Sequence, residues 1–429
     1  MDSFIDAYLL YMRKTEPPYI YHRWCALSSI AALLGRNFYF QFGHFKVYPN
    51  LYCILIGEAG SRKSTAIKLT KKLVAASGYQ ELSADKTSKE KFLLDLEGRT
   101  PDEEYPDSGG KAKKDYDLQT AINLWGHDAQ DRTYRQMYVV ADEFNEFIGI
   151  ANNDFCTTLG NLWDWDDEER PFTSRLKNSR SVSIWQPTIT ILGGNTPENY
   201  SKAFPPAIIG NGFLSRLLHI YGERSDRKFT FPPEPDKDET DKIIAWMQQI
   251  RQISGKATVT PEADKLLDEI YQGWQDIDDV RFKSYSNRRF TQLLKLCLCI
   301  SAANSSTVFT ESTVITANTY LSAAEHLMPK ALGEFGKSKH SEVAQKIMEL
   351  LDTSLRPLLA KAIWTHVHKD LDKVTDLQPI LQGLSTAEKI QYVPNAGWLS
   401  KKKVAVKPQH VDWSLLTEEE RRMLGNVDI

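Results

Sequence analysis

No stretch of about 18 consecutive apolar residues occurs in this 429-residue chain, so none of its helices is expected to span a bilayer. The N-terminus, MDSFIDAYLLYMRKTEPP, lacks a basic start leading into an apolar run and a small-residue cleavage site, and is not read as a secretory leader. Cysteine is scarce. Five residues, Cys25, Cys53, Cys156, Cys297 and Cys299, lie scattered in apolar settings. An odd, dispersed set argues for reduced thiols in a cytoplasmic protein and against a disulfide framework. Cys297-Leu298-Cys299 reads as helix core, and neither zinc-ligand spacing nor a primase-type carboxylate cluster is found. Neither sign of charge is in excess: 53 basic and 56 acidic residues leave a net charge of −3. Only local patches can therefore speak for nucleic acid.

What is present is ordinary for a globular chain: 41% hydrophobic and 25% charged residues exclude collagen-like, disordered and coiled-coil classes. The length fits about two or three domains of roughly 100–200 residues. Apolar positions at helical spacing mark residues 3–13 and 21–35, and alternation over 37–42 predicts a strand. The segment 98–118, rich in Pro, Gly, Asp and Lys, reads as a solvated insertion. Residues 226–241 read as a linker, and helical periodicity runs from 241 to about 335. From 340 to 403 the pattern is three helices followed by a two-stranded hairpin, the winged-helix layout. No internal repeat is found.

The sharpest signal is Leu51-Tyr-Cys-Ile-Leu-Ile56, a short apolar run of the buried-strand kind, followed by Gly57-Glu58-Ala59-Gly60-Ser61-Arg62-Lys63-Ser64-Thr65 and a helix over 66–76. A strand, a glycine-bearing loop and a helix N-terminus direct backbone N–H groups at one point, which suits a polyphosphate. Lys63 is expected to reach the β- and γ-phosphates of ATP and Ser64 to ligate Mg²⁺. Arg62 stands where the motif has its second glycine, and its side chain is expected to crowd the loop or add charge to the phosphates. A second apolar strand, 137–141, ends in Asp142-Glu143. Asp142 can hold the Mg²⁺ water shell and Glu143 can polarise the attacking water; an acidic pair that merely caps a strand is the plainer alternative. A third strand, 188–192, leads to Gly193-Gly194-Asn195, where Asn195 either positions the lytic water or belongs to a tight glycine turn.

These segments, with Tyr21–Ser28, Tyr48–Tyr52, Thr196-Pro197 and Gly212–Leu217, resemble AAA+ ATPases over about residues 20–330. The likeness is to the helicase-like P-loop proteins of phages, prophages and plasmids, distantly similar to mini-chromosome maintenance and superfamily 3 helicases. The resemblance implies that Arg216, in Ser215-Arg216, reaches the γ-phosphate bound by a neighbouring subunit, with Arg224 or Arg227 as the next candidates. It also implies that Arg288 or Arg289 serves as the second sensor arginine of a lid.

Between the acidic and Asn195 strands, residues 170–185 read as a β-hairpin with Arg175, Lys177 and Arg180 near its tip. Such hairpins line the pore of hexameric AAA+ helicases, where basic side chains would track single-stranded DNA. A solvated hairpin is the alternative. Lys401-Lys402-Lys403 could grip phosphate, though a charge run is more often a solvated face. The expected architecture is an α/β P-loop AAA+ core (46–235) with an N-terminal helical cap (1–45) and a helical lid (236–336). A winged-helix domain (337–405) and a loosely held charged tail (406–429) follow. The expected function is an ATP-driven replicative helicase of a phage or mobile element, acting as a ring of about six subunits with replication proteins as partners. A nucleotide-switched loader or initiator is the first alternative, and a silent scaffold with a spoiled loop the second.

Overall fold

A computed structural model of the chain describes residues 3–98, 133–174, 181–204, 212–277, 280–332, 339–354, 356–371, 373–386, 389–394, 396–401 and 408–425. The chain forms two compact units: residues 1–333 with 409–429, and residues 334–408.

The larger unit is built on a four-stranded parallel sheet. Tyr52–Ile56 is buried at every position, as an apolar strand covered on both faces must be. It pairs with Leu217–Tyr221 on one side and with Thr188–Asn195 on the other. Gln136–Ala141 lies beyond the Thr188–Asn195 strand. A parallel bridge between Leu82 and Tyr138 extends the sheet one step further. The Thr188 strand runs three residues past its expected end. Gly193 and Gly194 stay in register with Ile54 and Leu55, and Asn195 pairs with Ile56, so the tight glycine turn is not formed. The helix after the phosphate loop likewise starts early, at Lys63 rather than at residue 66.

Phe4–Tyr11 and Tyr19–Leu34 form the two N-terminal helices. The second is buried almost all round, the mark of a core helix. Its Tyr21 hydroxyl donates to the carbonyls of Ile56 and Gly222, tying it to two sheet strands. Residues 1–45 are thus part of the unit that holds the sheet, not a separate cap. Lys237–Arg251, Pro261–Gly273, Arg289–Ala303 and Glu311–Leu332 supply the expected helical region of the same unit. The first of these begins at Lys237, capped by Asp236, so the linker ends there.

The charged tail is a correction. Glu418–Leu424 is a helix with a Thr417–Glu420 capping box. Glu420 Oε1 and Oε2 accept from Arg23 Nε and Nη2, both at 2.7 Å, in a pair buried on both sides. Leu416 and Leu424 are buried beside it. A carboxylate that looked like surface charge is the counter-ion of a buried arginine.

The smaller unit contains Lys339–Thr353, Ala360–Val367 and Leu377–Thr386, then the antiparallel pair Ile390–Val393 and Gly397–Ser400. Leu358, before the second helix, bridges Trp398 on the hairpin. Val343, Ile347, Leu351, Ile363, Val367, Leu381 and Ile390 make its core. Lys401 is exposed, whereas Lys402 and Lys403 fall outside the described residues. Among the described residues, no helix is long and apolar enough to cross a membrane, and all five cysteines are buried and free.

Candidate phosphate-binding site

The carboxyl ends of the parallel strands bring three predicted segments together, the end at which open α/β sheets hold their ligands. Ile56 leads into the loop, Asn195 lies opposite Ile56, and Ala141, opposite Gly193, leads into Asp142-Glu143. Two glycines permit the approach. A Cβ on Gly57 would come within 2.3 Å of the Tyr21 hydroxyl and 2.5 Å of the Gly222 carbonyl; one on Gly194 would meet the Asp142 carbonyl at 2.7 Å.

Lys63 is 8% exposed, and its ammonium donates to Gly57 O (2.6 Å), Glu58 O (3.0 Å) and Ser61 Oγ (3.1 Å). The loop is thus curled round its own cation. Burial lowers the Lys63 pKa, opposed by Glu143 and Glu58. Ser64 and Thr65 follow in the first helical turn, where backbone N–H groups have no intrahelical acceptor. Gly60 adopts φ +85°.

Arg62 keeps the loop conformation that glycine would supply, with φ +66° and ψ +23°. Its side chain does not crowd the loop. It turns outward to pair with Glu16 at 2.6 Å, and the expected charge on the phosphates is drawn away. Glu16 is held below the usual carboxylate range by the Phe229 N–H first, and by Arg62.

Asp142 Oδ2 pairs with Lys68 at 2.9 Å, one helical turn beyond Ser64. The oxygen donors at hand, the Asp142 carboxylate and the Ser64 hydroxyl one turn before Lys68, are of the hard kind that Mg²⁺ takes. Glu143 is exposed at the strand tip, and its pKa is raised by partial desolvation first and by Asp142 next, with Lys63 opposing. That is the direction a general base needs. Asn195 is 1% exposed; its Oδ1 accepts from Thr196 N, while its Nδ2 is buried without a partner. A buried orphan donor at this point is a group waiting for an acceptor. No protein-family model and no curated protein matches this chain.

The three arginines assigned through the resemblance lie elsewhere. Arg216 precedes Leu217, which pairs with Tyr52, so it is at the amino end of the sheet. Four residue steps of strand, about 13 Å, separate that level from Ile56. Arg216 donates from Nη1 to Gly212 O (2.7 Å) and from Nη2 to Asp164 Oδ2 (3.0 Å). Arg288 joins the same carboxylate through Nη1 (3.1 Å) and donates from Nε to Ser215 Oγ. Arg289 is buried in the helical region, paired with Glu325 at 2.9 Å and bonded to Asn318 and Ser322. Neither Arg288 nor Arg289 reaches the phosphate loop of its own chain, and Arg289 is a core ion pair rather than a surface one. Of the fallback arginines, Arg227 pairs with Glu419 of the docked tail. The arms of the expected hairpin are present, Phe172–Ser174 antiparallel to Val182–Ile184. Arg175, Lys177 and Arg180 lie outside the described residues, as does nearly all of the 98–118 insertion.

Sequence reasoning assigned no role to Tyr21, Glu16, Lys68 or Asp164. Tyr21 was visible only as part of a motif. Asp164 opens the acidic run Asp164–Glu169, which by composition is indistinguishable from a solvated loop.

Proposed function

We propose that the chain is an ATP-hydrolysing protein of the AAA+ P-loop type, acting in a ring as a DNA motor. The observation that supports the ATP-hydrolysing part of this reading is the strand order. The strand ending in Asn195 separates the loop strand from the acidic strand, so a terminal phosphate above the loop would face Glu143 and the unpartnered Asn195 donor together.

ATP is the substrate. On its arrival Lys63 exchanges its contacts with Gly57, Glu58 and Ser61 for the β- and γ-phosphate oxygens, and the helix N-terminus supplies N–H donors. Ser64 and Asp142 would hold Mg²⁺, which supplies charge neutralisation on the β- and γ-phosphates. Glu143 orients a water and takes up its proton, and Asn195 Nδ2 donates to that water or to a γ-oxygen. Arg216, remote from its own loop, is suited to stabilise charge on a nucleotide bound to another copy. The smaller unit, with a strand bridge at Leu358 between its first two helices and a terminal hairpin, supports the winged-helix assignment.

Two variants test the site. Lys63→Ala is expected to lose nearly all ATP turnover and to weaken binding of a fluorescent ATP analogue. Glu143→Gln should bind the analogue normally while hydrolysis falls by roughly two orders of magnitude or more. Wild-type turnover in both would overturn the assignment. Strand separation of a forked DNA separates motor from loader. A motor loses DNA-stimulated turnover when Arg175 and Lys177 are neutralised, whereas a loader separates no strands in either form.

A further inference from the structure

Asp164 follows the helix Asn153–Trp163 and is shared by two guanidinium groups, Arg216 at 3.0 Å and Arg288 at 3.1 Å. Both stand over the Trp163 ring, 5.9 and 5.7 Å from its centroid. The Lys295 ammonium is 4.4 Å from the same centroid, held by Tyr48 O and Asn50 Oδ1. Asn50 in turn donates to Trp163 O, which fixes the residue before Asp164. Three basic side chains therefore converge on one aromatic ring with one carboxylate between the two arginines. Asp164 is 43% exposed and the Arg216 side chain 11%, so the cluster opens to the surface.

Burial first disfavours the charged form of Arg216, Asp164 favours it, and the like charge of Arg288 disfavours it again. Without the carboxylate the two guanidiniums would move apart, and Arg216 would keep only its Gly212 anchor. We propose that Asp164 is a positioning residue: it holds Arg216 beside Arg288 in the orientation in which Arg216 meets the terminal phosphate of a nucleotide on a second copy of the chain. This deepens, and rests on, the reading of Arg216 given above.

The test uses the full-length chain carrying Asp164→Asn, which keeps the shape and removes the charge. Turnover at saturating ATP is expected to fall roughly 10- to 100-fold, the scale of a misplaced catalytic group, with KM and analogue affinity unchanged. Asp164→Glu should recover part of the loss. Adding Asp164→Asn to Arg216→Ala should cost nothing further, since both act through one guanidinium. Mixing Asp164→Asn subunits, whose loop is intact, with Lys63→Ala subunits, whose Arg216 and Asp164 are intact, should restore turnover. Wild-type turnover in Asp164→Asn alongside an inactive Arg216→Ala overturns the role of Asp164 alone. So does a loss that mixing fails to restore in mixed particles shown to form, because that loss is structural. Wild-type turnover in Arg216→Ala overturns the underlying reading of Arg216, and the positioning role with it.

Discussion

Arg62 shows how a side chain can stand at a glycine position while the backbone keeps the turn: it goes left-handed and the guanidinium leaves toward Glu16. A non-glycine residue there costs about 1 kcal/mol. Glycine would relieve that strain, lose about 0.5–1 kcal/mol to unfolded-chain entropy, and forfeit the solvent-screened ion pair with Glu16. Because Arg62 already holds the backbone conformation glycine would supply and its guanidinium points away toward Glu16, Arg62→Gly is expected to bind an ATP analogue within about threefold of wild type, by titration. Arg62→Val, β-branched and ill-suited to positive φ, should bind much more weakly. Lys295 makes a pH prediction. Burial lowers its pKa to about 7, opposed by Asp164 and Cys299. Between about pH 7 and the ordinary lysine value the unfolded chain holds a proton on Lys295 that the folded chain lacks, so the contribution of Lys295 to stability rises with pH through that window. The five buried thiols, pushed up by burial, act in the opposite sense but are common to both proteins, so the urea midpoint of the wild type relative to that of Lys295→Met should climb from pH 7 to 9; parallel profiles would show that Lys295 stays charged when folded.

At the scale of elements, the docked tail carries the strongest stability prediction. Glu420 is an acceptor for Arg23 and for the Thr417 N–H and hydroxyl at once. Burial alone would raise its pKa, yet Arg23 and Thr417 hold it below the ordinary value. Glu420→Ala strands a buried guanidinium, a loss of about 3–5 kcal/mol. The thermal midpoint should fall by several degrees, and a change within error would mean that the tail helix is peripheral. The same logic explains the extended Asn195 strand. Gly193 and Gly194 are turn residues by type, but here they keep the ladder going where Ile54, Phe144, Ile67 and the Asp142 carbonyl leave no room for a Cβ.

For the whole molecule, the proposed role of Arg216 on a second copy's nucleotide, with the candidate phosphate loop and the Arg216 cluster at opposite ends of one sheet, would call for a ring. The mass of particles should rise to that of a closed oligomer when an ATP analogue and single-stranded DNA are both present. A mass equal to one chain under those conditions would remove both the ring-motor reading and the role of Arg216 on a second copy.

Local chemistry settled much of this protein in advance. Apolar runs are legible because a buried strand has to be continuous, and Gly57–Thr65 is legible as a candidate phosphate loop because such a loop draws its residues from one short stretch of chain. Asp142, Glu143 and Asn195 are legible because each sits at a strand tip. Only the tertiary structure decided which charges are partners. Arg23 meets Glu420 across almost the whole chain, Arg216 and Arg288 share Asp164, Arg289 is a core residue paired with Glu325, and Arg62 faces Glu16. The reason is physical: hydrophobic period and turn chemistry are properties of neighbouring residues, whereas an ion pair depends on where distant segments meet, and composition alone gives a buried carboxylate and a solvated one the same letter.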